Sequence, residues 1–397
     1  MIFDNDYDVV VVGAGPGGSA TARKCAELGL KVALLEKRAE IGSPKRCAEG
    51  LSSSSISIIG QKIPDCCITQ TIDGAFVYAP NGKRVIVNYG ETKGFILERK
   101  RYDKWLAEEA ARAGARVQAK TEVVDLMRTN EYVSGVEAVF ENERFSLNSR
   151  IVVAADGVES KVARMAGLNT ANKPINIDTG FQFEMVGIDM EDPHKLEIYM
   201  GNKIAPRGYI WVFPKGKDKA NVGIGIGGVG YEKTASRLLS DFVRSSPNLR
   251  KGSITEVNAG GIPVGGFLEN MVMDGFMVVG DAAHQVNPIH GGGLKEAAVA
   301  GRIAGAVIAE SLESSNVSKE ALSKYNELWW EERGKYLKNV EKLREVVEKV
   351  SDDDLNMLAE ALEGDDLVEF TRGNRLSKLG KILMKDPKLI MLARHLI

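Results

Sequence analysis

The chain has 397 residues, 44% of them hydrophobic and 27% charged, which is enough for two or three domains with substantial cores. Its 52 basic and 54 acidic residues leave a formal net charge of −2, and no basic tract carries interleaved aromatic residues, so we expect no nucleic-acid partner. No apolar run reaches the roughly 18 residues of a membrane span, and the absence of a signal peptide and of disulfide or CxxC spacing among four cysteines predicts a cytoplasmic protein.

The first predicted elements are a strand over residues 7–12, a glycine-rich turn and a helix over residues 19–28. In the turn, Gly13 permits the sharp bend, Gly15 lets a pyrophosphate approach the backbone, and Gly18 lets helix and strand pack closely. A second strand, residues 31–35, ends at Glu36, whose carboxylate can accept hydrogen bonds from adenosine ribose hydroxyls. The candidate cofactor residues here are Gly13, Gly15, Pro16, Gly17, Gly18, Glu36 and Lys37. NAD and FAD share this fingerprint, so it predicts a dinucleotide without choosing between them.

The chain then alternates between two predicted sheets. Elements expected next are a hairpin of strands 74–78 and 83–88, a helix 98–113, a strand 115–119, a meander 121–147 and a strand 151–155. The last of these ends in Asp156-Gly157, at the carboxyl end of a strand, where doubly wound sheets bind ligands. Antiparallel strands 177–187, 195–200, 209–214, 221–227 and 252–262, with a helix 234–244, predict a separate substrate sheet.

A second glycine-rich turn favours FAD over NAD. A buried strand over residues 270–279 delivers Gly280-Asp281 at its carboxyl end, where an acid can bind the ribityl hydroxyls of a flavin. Pro288 and the Gly291–Gly293 run, which includes Gly292, precede a predicted helix over residues 294–312 that begins at Leu294. Its N-terminal amides and dipole would face the N1–C2 edge of the flavin ring and favour the anionic reduced form.

The remaining chain predicts helices. Residues 318–350 are highly charged with apolar residues at helical spacing, which indicates helices packed on one face. Residues 376–397 form a basic amphipathic stretch, which is typical either of a helix on an anionic membrane surface or of one packed on the domain with its lysines exposed.

These motifs together resemble a known superfamily. Gly13, Gly15 and Gly18, then Glu36, Asp156-Gly157 and Gly280-Asp281, are similar to the flavoproteins related to p-hydroxybenzoate hydroxylase, squalene epoxidase and geranylgeranyl reductase. Within it, Arg46-Cys47-Ala48-Glu49-Gly50 resembles the cysteine loop of geranylgeranyl reductases, and residues 208–214 with Val222-Gly223 resemble their aromatic substrate motif. The chain is thus identified as a member of the geranylgeranyl reductase family of FAD-dependent oxidoreductases, over about residues 5–310.

The resemblance implies an α/β fold. We expect a discontinuous Rossmann-like FAD-binding domain (1–72, 94–172 and 264–312), an inserted antiparallel-sheet substrate domain (73–93 and 173–263) and a C-terminal helical region (313–397). It further implies FAD contacts from Arg46, Cys47, Ala48, Gly50, Arg99, Val123 and Leu294, and substrate contacts from Tyr209, Trp211, Phe213, Pro214 and His290. An arginine at the start of helix 98–113 reaches the pyrophosphate in the superfamily; Arg99 or Arg101 could do so here, or each could be a solvated helix charge.

The candidate catalytic residues are Cys47, Tyr209 and Trp211. Tyr209, Trp211 and Phe213 alternate, so they share one face of a strand, either as a substrate wall beside the flavin or as sandwich core. Cys47, beside Arg46, is either a thiol poised near the flavin or a plain loop residue. His290 and His284 either serve the flavin or cap a turn. No cluster has metal-ligand spacing, so no metal is expected.

The predicted activity is saturation of geranylgeranyl chains, preferably on an archaeal diether phospholipid, with NAD(P)H or ferredoxin as electron donor and peripheral contact with the inner membrane face. Because such alkenes are not conjugated to a carbonyl, hydride transfer needs a proton donor, and Cys47, a flavin-bound water and a tyrosine are all candidates. Two alternatives fit the same fold: a flavin monooxygenase or epoxidase of an apolar substrate, and a flavin-free prenyl-binding chaperone.

Overall fold

The computed structural model describes residues 4–90, 94–228, 230, 232–364 and 366–367. Its strands are β1 Asp6–Val12, β2 Val32–Leu35, β3 Gly50–Ser52, β4 Ile68–Ile72, β5 Gly74–Tyr78, β6 Arg84–Asn88, β7 Gly94–Leu97, β8 Arg116–Gln118, β9 Thr121–Thr129, β10 Tyr132–Phe140, β11 Glu143–Ala154, β12 Ile177–Val186, β13 Lys195–Met200, β14 Tyr209–Pro214, β15 Lys219–Gly227, β16 Ser253–Pro263, β17 Val272–Met273 and β18 Phe276–Val278. Its α-helices are α1 Pro16–Glu27, α2 Ser53–Ile59, α3 Arg99–Arg112, α4 Lys161–Ala166, α5 Ala235–Ser245, α6 Leu294–Glu313, α7 Lys319–Leu322, α8 Lys324–Trp329, α9 Lys335–Val347 and α10 Asp352–Ala361.

The main sheet has the order β17-β18-β11-β1-β2-β8, with β10 and β9 attached to β11. β1 is parallel to both β2 and β11, and β11 is parallel to β18, so these strands are buried on both faces and rich in valine and leucine. Val12 pairs with Leu35 and with Ala154, and Ala154 pairs with Val278. The four chain segments that follow these residues therefore leave the sheet at the same edge.

Two strands of this sheet differ from the sequence prediction. The expected strand 151–155 is the end of the longer β11, whose first half pairs antiparallel with β10 before its second half joins β1 in parallel. The expected strand 270–279 is two short strands, β17 and β18, because Gly275 turns the chain at a φ of 68° between them.

The second sheet has the order β16-β12-β15-β14-β13-β5-β6. The hairpin β5–β6 is as predicted, and it joins this sheet through parallel pairing of β5 with β13. One face carries Ile210, Val212, Val222 and Ile224, which pack with α5 residues such as Leu239 into a separate core. Because strand side chains alternate, the residues between these positions face the opposite side of the second sheet. That side faces the edge of the main sheet at which β1, β2, β11 and β18 end.

A third sheet, β3-β7-β4, was not predicted; its strand β3 begins at Gly50, where the cysteine loop ends, and pairs antiparallel with β7. Helices α7 to α9 bury Leu322, Tyr325, Trp329 and Leu337 against the main core, as the helical spacing indicated. Residues 376–397 lie outside the described residues. Among the described residues, we find no helix both long and apolar enough to cross a membrane.

Candidate functional site

The first glycine turn forms a cradle at the end of β1. Gly13 has a φ of 104°, and a Cβ there would lie 2.3 Å from the Ala155 carbonyl oxygen, so only glycine fits. Gly18 is equally enclosed, since its Cβ would lie 1.9 Å from the Gly13 oxygen, whereas a Cβ on Gly15 would enter open space. Gly15 is the N-cap of α1 without a side-chain cap, and Pro16 is its first residue. The helix N-terminus therefore presents backbone amides to an open space that suits a pyrophosphate.

The Glu36 carboxylate lies beside this cradle, where it accepts hydrogen bonds from the backbone N–H groups of Ala14 and Arg38, both at 3.0 Å. It therefore also holds the turn. The Lys37 ammonium group lies 3.3 Å and the Arg46 guanidinium group 3.6 Å from the Glu159 carboxylate, so both cations form ion pairs with this acid. Val123 on β9 is buried in the main core, and a contact between its backbone and an adenosine stays a prediction.

Asp156-Gly157 follows β11 at the same edge. One Asp156 oxygen, Oδ2, accepts a hydrogen bond from the Val162 N–H at 2.9 Å, while the other, Oδ1, is buried without a partner among the described residues. Burial raises the pKa of this carboxyl group. Gly157 has a φ of 78° and open space around its missing Cβ, so the backbone is accessible there. An orphaned buried oxygen beside the cradle indicates a polar ligand group.

The second glycine turn completes the edge. Gly280 has a φ of 70°, and its N–H donates to Gln285. The Asp281 carboxylate receives no hydrogen bond from the described residues; burial raises its pKa, and the Arg99 guanidinium partly counteracts that rise. Gly293 is the N-cap residue of α6, and no side chain of the described residues caps the helix there. A Cβ on Gly293 would lie 2.9 Å from Asp281 Oδ1. The arrangement thus places a free carboxylate directly against a helix N-terminus.

These features fit FAD. An open pyrophosphate cradle and an acid at the ribose position lie along one edge. The same edge carries an Asp156 oxygen and an Asp281 carboxylate that have no hydrogen-bond partner among the described residues, and the N-terminus of α6. Of the other candidates, Pro288 is buried in the turn before α6, and Leu294 packs with Leu51 and Leu97.

The aromatic residues of β14 form a wall on the face turned away from the α5 core. Ring centroids of Tyr209 and Trp211 are 5.8 Å apart, and those of Trp211 and Phe213 are 6.3 Å apart. The Trp211 indole donates to Gln182 at 2.9 Å and lies across Gly223, where a Cβ would come within 2.3 Å of the ring. Pro214 ends the strand on the opposite face, with Ile210 and Val212, because strand side chains alternate.

The cysteine loop contacts this wall. The Gln182 amide that binds Trp211 also donates to the Cys47 carbonyl at 3.1 Å, and Asn221 donates to the Ala48 carbonyl at 3.2 Å. A Cβ on Gly50 would lie 3.1 Å from the Phe213 ring, so the loop closes directly on the aromatic face. Cys47 is partly exposed, and its sulfur accepts a hydrogen bond from the Glu49 N–H at 3.2 Å.

Arg99 lies between the cysteine loop and Asp281. Its guanidinium forms a bidentate pair with Asp103, at 2.8 Å for both bonds. Burial lowers the pKa of Arg99, but Asp103 and the Cys47 sulfur raise it by more, so it stays charged. The Arg99 charge therefore interacts with both the Cys47 sulfur and the Asp281 carboxylate. A contact between Arg99 and a pyrophosphate stays a prediction.

The two histidines have different environments. Tyr209 donates its hydroxyl hydrogen to the His290 carbonyl at 3.0 Å, and the His290 Nδ1 accepts from the Gly292 N–H at 3.1 Å. His290 is exposed at the surface of its turn. Desolvation of its ring by neighbouring protein atoms, together with the Lys295 charge, lowers the pKa of His290 to about 4. It is therefore neutral at physiological pH. His284 is buried between the carbonyls of Gly266 and Thr170, at 2.7 and 3.1 Å, and holds the turn.

Sequence reasoning missed several polar residues of this site: Gln182, Lys215 and Asn221. Gln182 lies between Phe181 and Phe183 on β12, so a polar residue within this apolar stretch could have indicated a functional face. Lys215 and Asn221 carry no comparable signal, because a single polar residue near a strand end is equally typical of a solvent-exposed position.

Comparisons with known proteins show which family the chain resembles. The family model described as geranylgeranyl reductase catalytic domain matches residues 176–262, and that described as lycopene cyclase protein matches residues 8–195. The digeranylgeranylglycerophospholipid reductase of Methanothrix thermoacetophila is 44% identical over 98% of this chain and 99% of its own length. The second such reductase of Methanopyrus kandleri is 41% identical over 99% of this chain and 100% of its own length.

Two solved structures are also similar. A geranylgeranyl bacteriochlorophyll reductase-like protein from Thermoplasma acidophilum has a TM-score of 0.90 and 36% identity, and the match covers 99% of this chain and 100% of that one. A triple mutant of a flavin-dependent brominase has a TM-score of 0.73 at 19% identity, with 92% of this chain and 94% of that one covered. The brominase likeness shows a common fold alone.

Proposed function

This chain belongs to the family of the digeranylgeranylglycerophospholipid reductases, and from that premise we propose that it is an FAD-dependent reductase that saturates geranylgeranyl chains of an archaeal diether phospholipid. One observation carries the proposal furthest. The hydrogen bond from Tyr209 to the His290 carbonyl joins the aromatic wall to the turn before α6, where the residues fit the flavin ring. A long hydrocarbon on the wall would thus lie beside the cofactor.

The reaction needs both a hydride and a proton, because an isolated trisubstituted alkene has no carbonyl to accept the developing charge. Reduced FAD, when bound, supplies the hydride. The ring faces of Tyr209 and Trp211 stabilise positive charge on the tertiary carbon as the less substituted carbon is protonated. The Gln182–Trp211 hydrogen bond and the absence of a Cβ on Gly223 hold the indole in one orientation on the wall.

We assign proton delivery to the Cys47 sulfur. Tyr209 is a poorer acid, since burial raises its pKa and its hydroxyl hydrogen is donated to the His290 carbonyl. His290 is neutral, because its pKa is about 4. Cys47 lies in the loop that Gln182 ties to the wall, and its thiol is partly exposed. Arg99, Asp281 and the two helix N-termini bind and orient the cofactor in this scheme.

Two finer points belong to the same proposal. The sequence carries no second dinucleotide fingerprint, so we propose that electrons arrive from a donor that docks transiently, either NAD(P)H or ferredoxin. We also propose a peripheral contact with the membrane surface, because the substrate resides in the bilayer and residues 376–397 have a basic amphipathic pattern.

The test is anaerobic incubation of dithionite-reduced, flavin-loaded protein with a digeranylgeranyl ether phospholipid, followed by mass spectrometry. We expect a gain of two hydrogens per double bond, and none in a parallel incubation with oxidised protein. Dithionite replaces the unknown electron donor, so the result depends on the active site alone. A product that gains an oxygen atom, and only in air with an added reductant, would instead identify a monooxygenase and overturn the proposal.

A further inference from the structure

We propose that Glu49 is a positioning residue that holds the Cys47 thiol in place between the cofactor edge and the aromatic wall. The inference deepens the proposed function, and it rests on the role given there to Cys47. Glu49 follows Cys47 by two residues and adopts a left-handed conformation, with a φ of 75°, that non-glycine residues rarely occupy. In that conformation its N–H donates to the Cys47 sulfur at 3.2 Å. The backbone of Glu49 thus sets the direction of the thiol.

Glu49 is bound to the cofactor-binding side of the molecule through its backbone and one carboxylate oxygen. Its carbonyl accepts the Leu97 N–H at 2.9 Å, at the end of β7. Its Oε1 accepts the Arg99 N–H at 2.7 Å, at the first turn of α3. Because the Arg99 side chain lies beside Cys47 and Asp281, the same contacts fix the loop relative to the flavin edge.

The other carboxylate oxygen of Glu49 binds the substrate sheet. Its Oε2 accepts from Lys215 at 2.7 Å, from Asn221 at 2.7 Å and from Lys45 at 3.2 Å. Lys215 follows β14 directly, and Asn221 lies on β15 opposite Phe213, so these donors belong to the strands that carry the aromatic wall. One carboxylate group thereby joins the cysteine loop, the start of α3 and the wall.

This cluster of charges is fully buried. The side chains of Lys45, Lys215 and Glu49 are at most 1% exposed, and both lysines also contact Glu184. Burial raises the pKa of Glu49, but the Lys215 and Lys45 charges lower it by more, so the carboxylate stays ionised. Replacing buried ion pairs by apolar side chains is often neutral or stabilising. A positioning role explains the buried charges better than a contribution to stability does.

The matched control is Glu184. It shares Lys45 and Lys215 with Glu49 and lies in the same buried cluster, but it makes no hydrogen bond to the cysteine loop among the described residues. Glu49→Gln and Glu184→Gln each remove one negative charge from the cluster without changing side-chain size. A difference between them therefore reports on the loop and not on the loss of charge.

The experiment uses flavin-loaded full-length protein in a Cys66→Ser background, because Cys66 is exposed and would react with a thiol reagent. One measurement is the rate of Cys47 alkylation by iodoacetamide against pH, followed by peptide mass spectrometry. The other is the single-turnover oxidation of pre-reduced protein by the prenyl phospholipid. For Glu49→Gln we expect bound FAD, a shifted alkylation profile with at least about threefold change in rate, and at least about tenfold slower turnover.

For Glu184→Gln both rates should stay within about twofold of the parent. Equal effects of the two variants, or parental rates in Glu49→Gln, would overturn the inference. If Glu49→Gln does not fold, the double variant Glu49→Gln/Lys215→Met removes both partners of the ion pair. We expect this variant to fold and to keep the altered alkylation profile of Cys47. A parental alkylation profile in the double variant would also refute a positioning role. A failure of the role proposed for Cys47 would be seen separately, because normal turnover in Cys47→Ala would remove Cys47 from the mechanism. The alkylation profile would then still test whether Glu49 positions Cys47.

Discussion

At the scale of single residues, Asp281 offers a direct test of the cofactor site. Its half-buried carboxylate has no hydrogen-bond donor among the described residues and lies against the N-terminus of α6. We expect Asp281→Ala to fold but to bind FAD about 10- to 100-fold more weakly, since hydrogen bonds to a charged group contribute about 1.5–3 kcal/mol. Flavin content and affinity can be measured by absorbance and fluorescence. The exposed acid Glu269 provides the control, Glu269→Ala, and unchanged FAD affinity in Asp281→Ala would contradict the assignment.

Gly223 tests the aromatic wall without deleting it. A Cβ at Gly223 would come within 2.3 Å of the Trp211 indole, whereas a Cβ at Gly225, on the same strand face, would lie 3.7 Å from it. Gly223→Ala should therefore displace the ring and slow single-turnover reduction of the prenyl lipid by about tenfold or more with FAD still bound, because small misplacements at a reacting centre are costly. Gly225→Ala is the control, and it should lose much less. Equal rates in the two variants would favour a plain core role for Trp211.

Substitution of Cys47 tests whether this residue takes part in the reaction or only fills space in the loop. If its sulfur delivers the proton, Cys47→Ala and Cys47→Ser should each slow the alkene step by at least about tenfold, or about 1.4 kcal/mol of barrier, with FAD still bound. The measurement is single-turnover oxidation of pre-reduced protein by the lipid, which excludes the electron donor. Cys67→Ala, at a buried cysteine without a hydrogen bond to the cysteine loop among the described residues, is the control for thiol loss. Changes within about twofold in both Cys47 variants would identify the residue as filler.

At the scale of elements, the contact between α1 and α6 sets the two helix N-termini beside each other. A Cβ at Gly301 would lie 2.5 Å from the Gly17 oxygen and 2.8 Å from the Ala20 Cβ, so the helices touch through a glycine. Because both helices start at the cofactor edge, their spacing fixes the distance between the pyrophosphate cradle and the Asp281 turn.

Gly301→Ala should therefore separate the helices, lower Tm by several degrees and weaken FAD binding together, since overpacking typically costs about 1–3 kcal/mol. Thermal unfolding with and without added FAD measures both effects. Ala306 is exposed on the outer face of the same helix, and Ala306→Leu should change neither. A Gly301 variant with normal Tm and normal affinity would show that the helix spacing is not critical.

At the scale of the whole molecule, helix α9 contacts the second sheet at a largely buried carboxyl group. Asp178 on β12 lies 3.9 Å from Arg344 of α9, and Arg344 also donates to the Val264 and Ile175 carbonyls, at 2.7 and 2.9 Å. Burial raises the pKa of Asp178 to about 7, although the charges of Arg344 and Arg207 oppose this, while Glu348 adds to it.

This pKa predicts a pH-dependent stability. The pKa is higher in the folded than in the unfolded chain, so protonation favours folding, and this contribution is lost as pH rises from about 4 to about 7. Asp178→Asn should therefore raise Tm relative to wild type by an amount that grows by at least about 2 °C between pH 4.5 and pH 8. Asp189→Asn, at a surface carboxylate, is the control. A Tm difference that stays constant or shrinks with pH would contradict the prediction.

The sequence by itself determined the cofactor edge. Strand, turn and helix are local signals, and the glycines and acids that follow each strand sit at positions the backbone dictates, so Gly13, Glu36, Asp156 and Asp281 could be placed at one edge. The aromatic face of β14 followed from alternation alone. The domain boundaries and the functional roles of these residues stay predictions.

Only the tertiary structure decided what surrounds Cys47. Glu49 meets Lys215 and Asn221, which are far along the chain, and Gln182 bridges Trp211 to the cysteine loop. The small sheet β3-β7-β4, which holds that loop, was likewise absent from the prediction. The physical reason is the same in each case. A buried lysine, glutamate or amide looks in sequence like an exposed one, and only the folded chain brings its partners within hydrogen-bonding distance.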